Sequence, residues 1–239
     1  DELVQRKKHI YLCTNGMLLE RSLKKFLPSK FLHINVSLDG MADTHDKISG
    51  EKGVFDKAIN GIKKARAAGF RVCTNTSIYK ETDLKEIETL FNFLKNIDIN
   101  GILVAPAFEY DVLSKKIFLV RQATHKQFEF ISNISKKLPI MSTPLYLKFL
   151  KGKRQLECTP WGNPTYNPQG WKSPCYLITD THYKTFEELM IKTDWSKYGT
   201  GKDPRCANCM MHSGFEPTVV REVGKNFSDL WEMIVWNFT

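Results

Sequence analysis

A chain of 239 residues with 35 Lys and Arg against 26 Asp and Glu carries a net charge of +9 and has room for one large domain or a domain with an appendage. The charge suits an anionic membrane face, a nucleic acid or mere solubility, but the basic residues are spread through predicted helices with no run of five or six, so a solvated basic surface is expected and nucleic acid is not. No 18-residue apolar segment exists, which excludes a spanning helix.

Asp1 to Lys8 read as the end of a helix feeding a strand, with no signal peptide, so the sequence is expected to begin inside a domain. His9 to Cys13 is a β-rich run ending at the turn signal Thr14-Asn15-Gly16. Met17 to Phe26 reads as a helix with Leu18, Leu19, Leu23 and Phe26 on one face, closed by Pro28. Phe31 to Leu38 is the next strand, apolar at nearly every other position, and ends at Asp39-Gly40. A polar loop, Met41 to Gly53, is expected before an amphipathic helix carrying Phe55, Ala58, Ile59, Ile62 and Ala65, with Gly69 as its C-terminal cap.

Phe70 to Thr76 is a third strand; Asp83 and Glu86 form a capping box opening a helix through Leu94; Gly101 to Ala105 is a fourth strand, stopped by Pro106. This alternation is the signature of parallel β/α units, and periodicity alone leaves a partial barrel and a doubly wound sheet both open. Either way the chemistry belongs at the carboxyl ends of the strands, where Cys13, Asn15, Ser37, Asp39, Asn75, Glu109 and Tyr110 fall. Helices are expected over Gln122 to Ile134 and Thr143 to Leu150, with a short strand at Leu138 to Met141 between them.

Beyond Lys151 the composition shifts to Cys, Pro, Gly and Trp, which divides the chain into a β/α domain at 1–150 and a cysteine-rich module at 151–239. Within the module a short helix is expected over Lys184 to Thr193 with Phe186, Leu189 and Met190 inward, and an apolar helix over Asn226 to Phe238. Cys158, Cys175, Cys206 and Cys209 lie there, the last two as a C-x2-C pair. Four thiolates from loops suit a tetrahedral zinc or an iron-sulfur cluster; disulfides or buried inert thiols are the alternatives.

Thr14-Asn15-Gly16 and Ser37-Leu38-Asp39-Gly40 after successive strands, together with Cys158-x11-Gly170-x4-Cys175 and a following C-x2-C pair, resemble the radical S-adenosylmethionine (SAM) superfamily and its auxiliary-cluster modules. Tyr11-Leu-Cys-Thr-Asn, Gly53-Val-Phe-Asp-Lys-Ala, Cys158-Thr-Pro-Trp-Gly-Asn-Pro-Thr, Arg205-Cys to Cys209-Met and His212-Ser-Gly-Phe-Glu-Pro are similar to the adenosylhopane synthase family of hopanoid biosynthesis. That resemblance implies an α/β fold, a partial (β/α) barrel of parallel strands with a C-terminal cysteine-rich module. It implies a cytoplasmic enzyme, peripheral at the inner membrane face, that adds a 5′-deoxyadenosyl radical to the alkene of diploptene. The implied cofactors are SAM, a 4Fe-4S cluster and an auxiliary 4Fe-4S cluster or zinc at the C-terminal cysteines, with flavodoxin or ferredoxin as electron donor. Two departures stand out. The superfamily's C-x3-C-x2-C motif is absent and would lie upstream of Asp1, and Ser213 stands where the family has a further cysteine. Other expectations are a different radical SAM enzyme with an auxiliary cluster, or a zinc-stabilised nucleic-acid-binding module.

Under the resemblance Ser37 and Asp39 meet SAM, a carboxylate accepting from ribose hydroxyls and a hydroxyl serving the amino-acid carboxylate; a plain turn is the simpler use of the same residues. Asn15 and Asn75 reach toward the adenosine or serve as turn residues. His45 and Asp46 stand behind the site or cap the following segment. Cys13 is expected as the hydrogen-atom donor that quenches the adduct radical, against the alternative of a small buried hydrophobe, and Cys73 as core. Glu109 and Tyr110 are weaker pocket candidates, and Phe108, Phe118, Leu145 and Trp161 would line an apolar channel if they are not simply core.

Overall fold

The structure, a computed structural model, describes residues 2–108 and 118–238. The chain divides into two compact units, Asp1–Ala105 with Asn133–Ser142, and Pro106–Ser132 with Thr143–Thr239.

The first unit is built on a four-stranded sheet in sequential order, β1 (Ile10–Thr14), β2 (Leu32–Ser37), β3 (Arg71–Ile78) and β4 (Gly101–Pro106), preceded by the single turn α1 (Glu2–Gln5). The ladders are parallel and in register: Cys13 is paired with Asn35 and Asn35 with Cys73, while Ser37 is paired with Asn75. Residues at one register point to the same face of a sheet. One face therefore carries Ile34, Val36 and Val72, all fully buried, and the other carries Tyr11, Cys13, His33, Asn35, Ser37, Arg71, Cys73 and Asn75. Ala58 of α4 (Val54–Ala67) approaches Val36 around Gly16, which puts α4 on the apolar face. Removing side chains such as Ile34, Ile62 and Leu90 from water contributes about 1.5–3 kcal/mol each. An isolated parallel bridge from Ile102 to Ile140 adds the short segment expected at 138–141 to the β4 edge.

Three local expectations are corrected here. The helix expected over Met17 to Phe26 is one turn, α2 (Leu19–Ser22), continued by a 3-10 turn; only Leu19 of its apolar set is buried, and Leu18 is exposed. The polar loop at 41–53 contains a helix, α3 (Ala42–Ser49), ended by Gly50 at φ +74°. Its buried residue is His45, so an apolar stripe never announced it. Asp83 caps α5 (Leu84–Asn96) through the Lys85 and Glu86 amides, but Glu86 does not complete the box. Its carboxylate instead accepts from the Met41 amide at 2.8 Å and the Thr44 hydroxyl at 2.9 Å, tying α5 to α3.

The second unit takes most of α6 (Arg121–Ser135), then α7 (Pro144–Leu150), whose N-terminus is capped by Thr143. A three-stranded antiparallel sheet follows, β5 (Thr165–Asn167), β6 (Gly170–Pro174) and β7 (Thr179–Tyr183), where the sequence suggested only loops. The chain closes with α8 (Phe186–Lys192), α9 (His212–Glu222) and α10 (Phe227–Phe238). In α8 Leu189 is buried, whereas Phe186, expected inward, is exposed and packs edge-on against Trp171. In α10 the sides are reversed: Asp229 is buried and Phe227, Leu230, Trp231, Ile234, Val235 and Phe238 face outward. No helix among the described residues is long and apolar enough to cross a membrane.

Candidate functional site

In the first unit the polar face of the sheet and the loops at its carboxyl end collect most of the predicted residues. Cys13, next to last in β1, is an exposed free thiol, and its sulfur accepts from Asn35 Nδ2 at 3.7 Å. Asn15 is exposed, and its Oδ1 accepts from the Met17 amide at 3.2 Å, an Asx turn. Ser37 and Asn75 are half-buried neighbours, and the Asn75 carbonyl accepts from Leu38 N–H at 2.9 Å. Asp39 is half-buried behind them. Its Oδ1 accepts from Ser77 N–H at 2.7 Å, and burial raises its carboxyl above the ordinary value.

His45 fixes the same corner. Its Nδ1 accepts from Asp39 N–H at 3.2 Å and burial holds the ring below its usual pKa, so the imidazole stays neutral and can accept. Asp46 caps α4 instead, accepting from Gly53 N–H at 2.5 Å and Phe55 N–H at 2.9 Å; those bonds hold its carboxyl low. Cys73 is buried, with its thiol pushed up to about 11 by desolvation.

The second unit brings the four module cysteines together. Cys158, Cys175, Cys206 and Cys209 line one apolar cavity of about 30 Å3, with Phe108, Ile178, Tyr198 and Phe215 among its walls. All are free thiols, and burial with their mutual proximity pushes Cys158 and Cys209 up to about 12. Each comes from a braced loop. Thr159 N–H donates to the Gly214 carbonyl at 2.8 Å, fixing Cys158 against α9. Cys175 follows β6, whose Ser173 hydroxyl bonds Thr193 at 2.8 Å. Cys206 ends a 3-10 turn capped by Asp203, and the Arg205 guanidinium forks onto Asp180 at 2.6 and 3.0 Å. Arg121 Nη2 reaches the Cys209 carbonyl at 3.1 Å and the Thr200 hydroxyl at 3.0 Å.

As these thiols lie, no set of three or more Cys, His, Asp or Glu among the described residues is arranged to hold a metal ion. The donor set nevertheless fits one chemically. It is four soft sulfurs with no competing oxygen, and the Gly199 and Met211 amides hydrogen-bond the Cys206 and Cys209 sulfurs, as cluster and zinc sites require. A Cβ on Gly214 would lie 2.6 Å from Cys158 Sγ, so only glycine leaves this thiol its place. Ser213 lies in the first turn of α9.

The sequence reading missed Asn35 and Arg121, and it offered His45 as standing behind the site, where it accepts from the Asp39 amide. A signal existed for the first: Leu32-His33-Ile34-Asn35-Val36-Ser37 alternates strictly, which marks one face of a buried strand as polar. None existed for Arg121, whose partners Thr200 and Cys209 are distant in sequence. Of the proposed channel residues, Phe108 lines the cysteine cavity, Leu145 is fully buried, Phe118 is half-buried and Trp161 lies under the Arg221 guanidinium at 5.0 Å. Glu109 and Tyr110 lie outside the described residues.

Two family models match successive parts of the chain. A profile of the radical SAM superfamily matches residues 1–94, and one of a domain of unknown function (DUF3463) matches residues 102–233, more than half of the chain. The chain is 35% identical over 92 residues to Fe-coproporphyrin III synthase of Methanosarcina barkeri (strain Fusaro / DSM 804), covering 38% of this chain and 23% of that one. It is 27% identical over 156 residues to GTP 3',8-cyclase of Clostridium botulinum (strain Hall / ATCC 3502 / NCTC 13319 / Type A), covering 62% and 47%. It thus spans less than half the length of these curated relatives. Among solved structures, native anSMEcpe with bound AdoMet and Cp18Cys peptide superposes with a TM-score of 0.57 at 16% identity over 87% of this chain and 66% of that one, a likeness of fold. The DUF3463 model covers more than half of the chain, which therefore belongs to that family, and its first part, with parallel β/α units and polar strand ends, is similar to the radical SAM superfamily.

Proposed function

We propose that this chain belongs to an enzyme that adds the 5′-deoxyadenosyl radical of SAM to the alkene of diploptene, giving adenosylhopane. The observation that carries the reading is Cys13, an exposed free thiol at the carboxyl end of β1 on the polar face of the sheet. Radical addition to an alkene leaves a carbon radical that must gain one hydrogen atom, and a thiol supplies one. A reduced 4Fe-4S cluster with SAM would supply the initial radical, and the three-cysteine motif that would hold that cluster is not within these 239 residues. In this reading Ser37, Asp39, Asn15 and Asn75 orient SAM at the strand ends.

Cys158, Cys175, Cys206 and Cys209 would hold an auxiliary 4Fe-4S cluster or a zinc ion. Either would offset the cost that burial puts on the thiolate form of Cys158 and Cys209. Flavodoxin or ferredoxin supplies electrons, and the enzyme meets its lipid substrate at the membrane face.

The test uses the full-length protein, purified anaerobically and supplied with SAM, a flavodoxin and diploptene. Adenosylhopane is the expected product, and a Cys13→Ser variant should give altered product or none. Release of 5′-deoxyadenosine with no adduct overturns the substrate; absence of SAM cleavage overturns the enzyme. Iron, zinc and sulfide on the same protein and on a Cys206→Ser, Cys209→Ser variant identify the metal of the second unit. An unchanged metal content in that variant removes the four cysteines as ligands.

A further inference from the structure

We infer that Asn35 is a positioning residue for the Cys13 thiol, holding its sulfur on the polar face of the sheet so that its hydrogen atom faces the substrate radical. The inference rests on Cys13 being the hydrogen-atom donor.

Asn35 lies beside Cys13 in the parallel register, and its Nδ2 donates to Cys13 Sγ at 3.7 Å. Asn35 sits mid-strand in β2, laddered to both β1 and β3 and only 7% exposed, whereas Cys13 is exposed and next to last in β1. A buried amide fixed by its strand therefore holds the sulfur at a strand end.

The direction of the bond matters as much as its presence. Because the amide N–H donates to a sulfur lone pair, the S–H bond takes no part in the contact and is left to point toward a ligand. An acceptor in the same place would capture that hydrogen. Asn35 Oδ1 has such acceptor capacity and is buried without a hydrogen-bond partner among the described residues. A buried acceptor without a partner destabilises a fold by about 1–3 kcal/mol, and a leucine at this position would avoid that cost. The amide is thus a liability to the strand, and the sulfur contact is the one hydrogen bond its side chain makes among the described residues.

The step balances. The substrate carbon radical forms a C–H bond as the Cys13 S–H bond breaks homolytically, leaving a thiyl radical. One electron from the flavodoxin- or ferredoxin-class donor and one proton from solvent restore the thiol. Because a thiol proton exchanges with water, product made in D2O carries deuterium at the quenched carbon.

The experiment measures adenosylhopane formed per 5′-deoxyadenosine released, with deuterium content, for the full-length protein in D2O with SAM, flavodoxin and diploptene. Asn35→Leu removes the amide, and Asn35→Asp keeps its shape without the N–H. Both should lower adduct per SAM cleaved by about tenfold, the loss of one hydrogen bond at the quenching step. The ratio is independent of how much enzyme is folded, so a merely structural role leaves it at the wild-type value. If both variants keep that value while Cys13→Ser loses labelled adduct, Asn35 has no positioning role and Cys13 remains the donor. If Cys13→Ser yields labelled adduct at the wild-type ratio, the donor assignment falls, and this inference with it.

Discussion

His45 shows how one buried ring can govern a loop. It is 2% exposed, accepts the Asp39 amide proton at Nδ1 and faces the Ser49 hydroxyl at 3.5 Å through Nε2. Protonating Nδ1 would set a donor against a donor, and burial already lowers the ring's pKa below 6.5. The unfolded chain therefore binds this proton first as pH falls, and the stability His45 lends at neutral pH is lost as pH drops through the unfolded value near 6.5. His33 is lowered by burial too and acts with the same sign. Asp39, raised by burial, acts oppositely, its contribution being lost as pH rises above the ordinary carboxyl range. The urea midpoint should thus fall between pH 7.5 and pH 5.5, at no more than about 1.4 kcal/mol per pH unit for one proton. In His45→Gln, whose amide accepts without titrating, the slope should be shallower; an equal slope would show that His45 is not the group responsible.

Turns between strand and helix set how closely the elements of the first unit pack. Gly16, at φ +79°, leaves β1 where an added Cβ would lie 2.7 Å from Ala58 Cβ and 2.9 Å from Ala58 Cα. Gly53 has almost the same backbone, φ +78°, but open space around it. The pair separates strain from crowding. Gly53→Ala should cost only the left-handed penalty, about 1–2 kcal/mol, and Gly16→Ala that penalty plus about 1–3 kcal/mol of overpacking. Equal urea midpoints for the two variants would mean that α4 yields freely at Ala58. Much at this scale was legible in the sequence, because parallel β/α units repeat one hydrophobic rhythm: β2 and α4 follow from alternation and helical spacing. The rest was hidden where packing uses polar residues. α3 buries a histidine, β7 reads Thr-Asp-Thr-His-Tyr with no apolar face, and Glu86 caps nothing of its own because Thr44 and Met41 claim it. The four cysteines were legible by spacing, but the loops that bring them to one cavity are set by Arg205, Thr159 and Arg121, whose partners are remote.

The whole molecule carries a net charge of +9 and one surface that its own fold does not explain. α10 presents Phe227, Leu230, Trp231, Ile234, Val235 and Phe238 outward, at spacings of three and four, with Phe227 80% and Trp231 59% exposed. Its acidic side chains turn the other way, Asp229 to Arg154 at 2.7 Å and Glu232 to Lys148 at 2.5 Å. The outward stripe is consequently free of charge on a basic protein, the combination that suits the interface of an anionic bilayer. We propose that this face rests on an anionic membrane. The full-length protein should co-sediment with vesicles containing anionic lipid, more weakly as salt screens the basic surface. A Trp231→Glu, Ile234→Glu variant should bind at least about tenfold less, since each lost apolar burial removes roughly 1.5–3 kcal/mol. Both side chains are exposed, so the fold should survive, and an unchanged circular dichroism spectrum and melting temperature would verify it. Binding equal to the wild type would detach the stripe from the membrane and leave the basic surface as the sole attraction. No binding by either protein would overturn the membrane proposal.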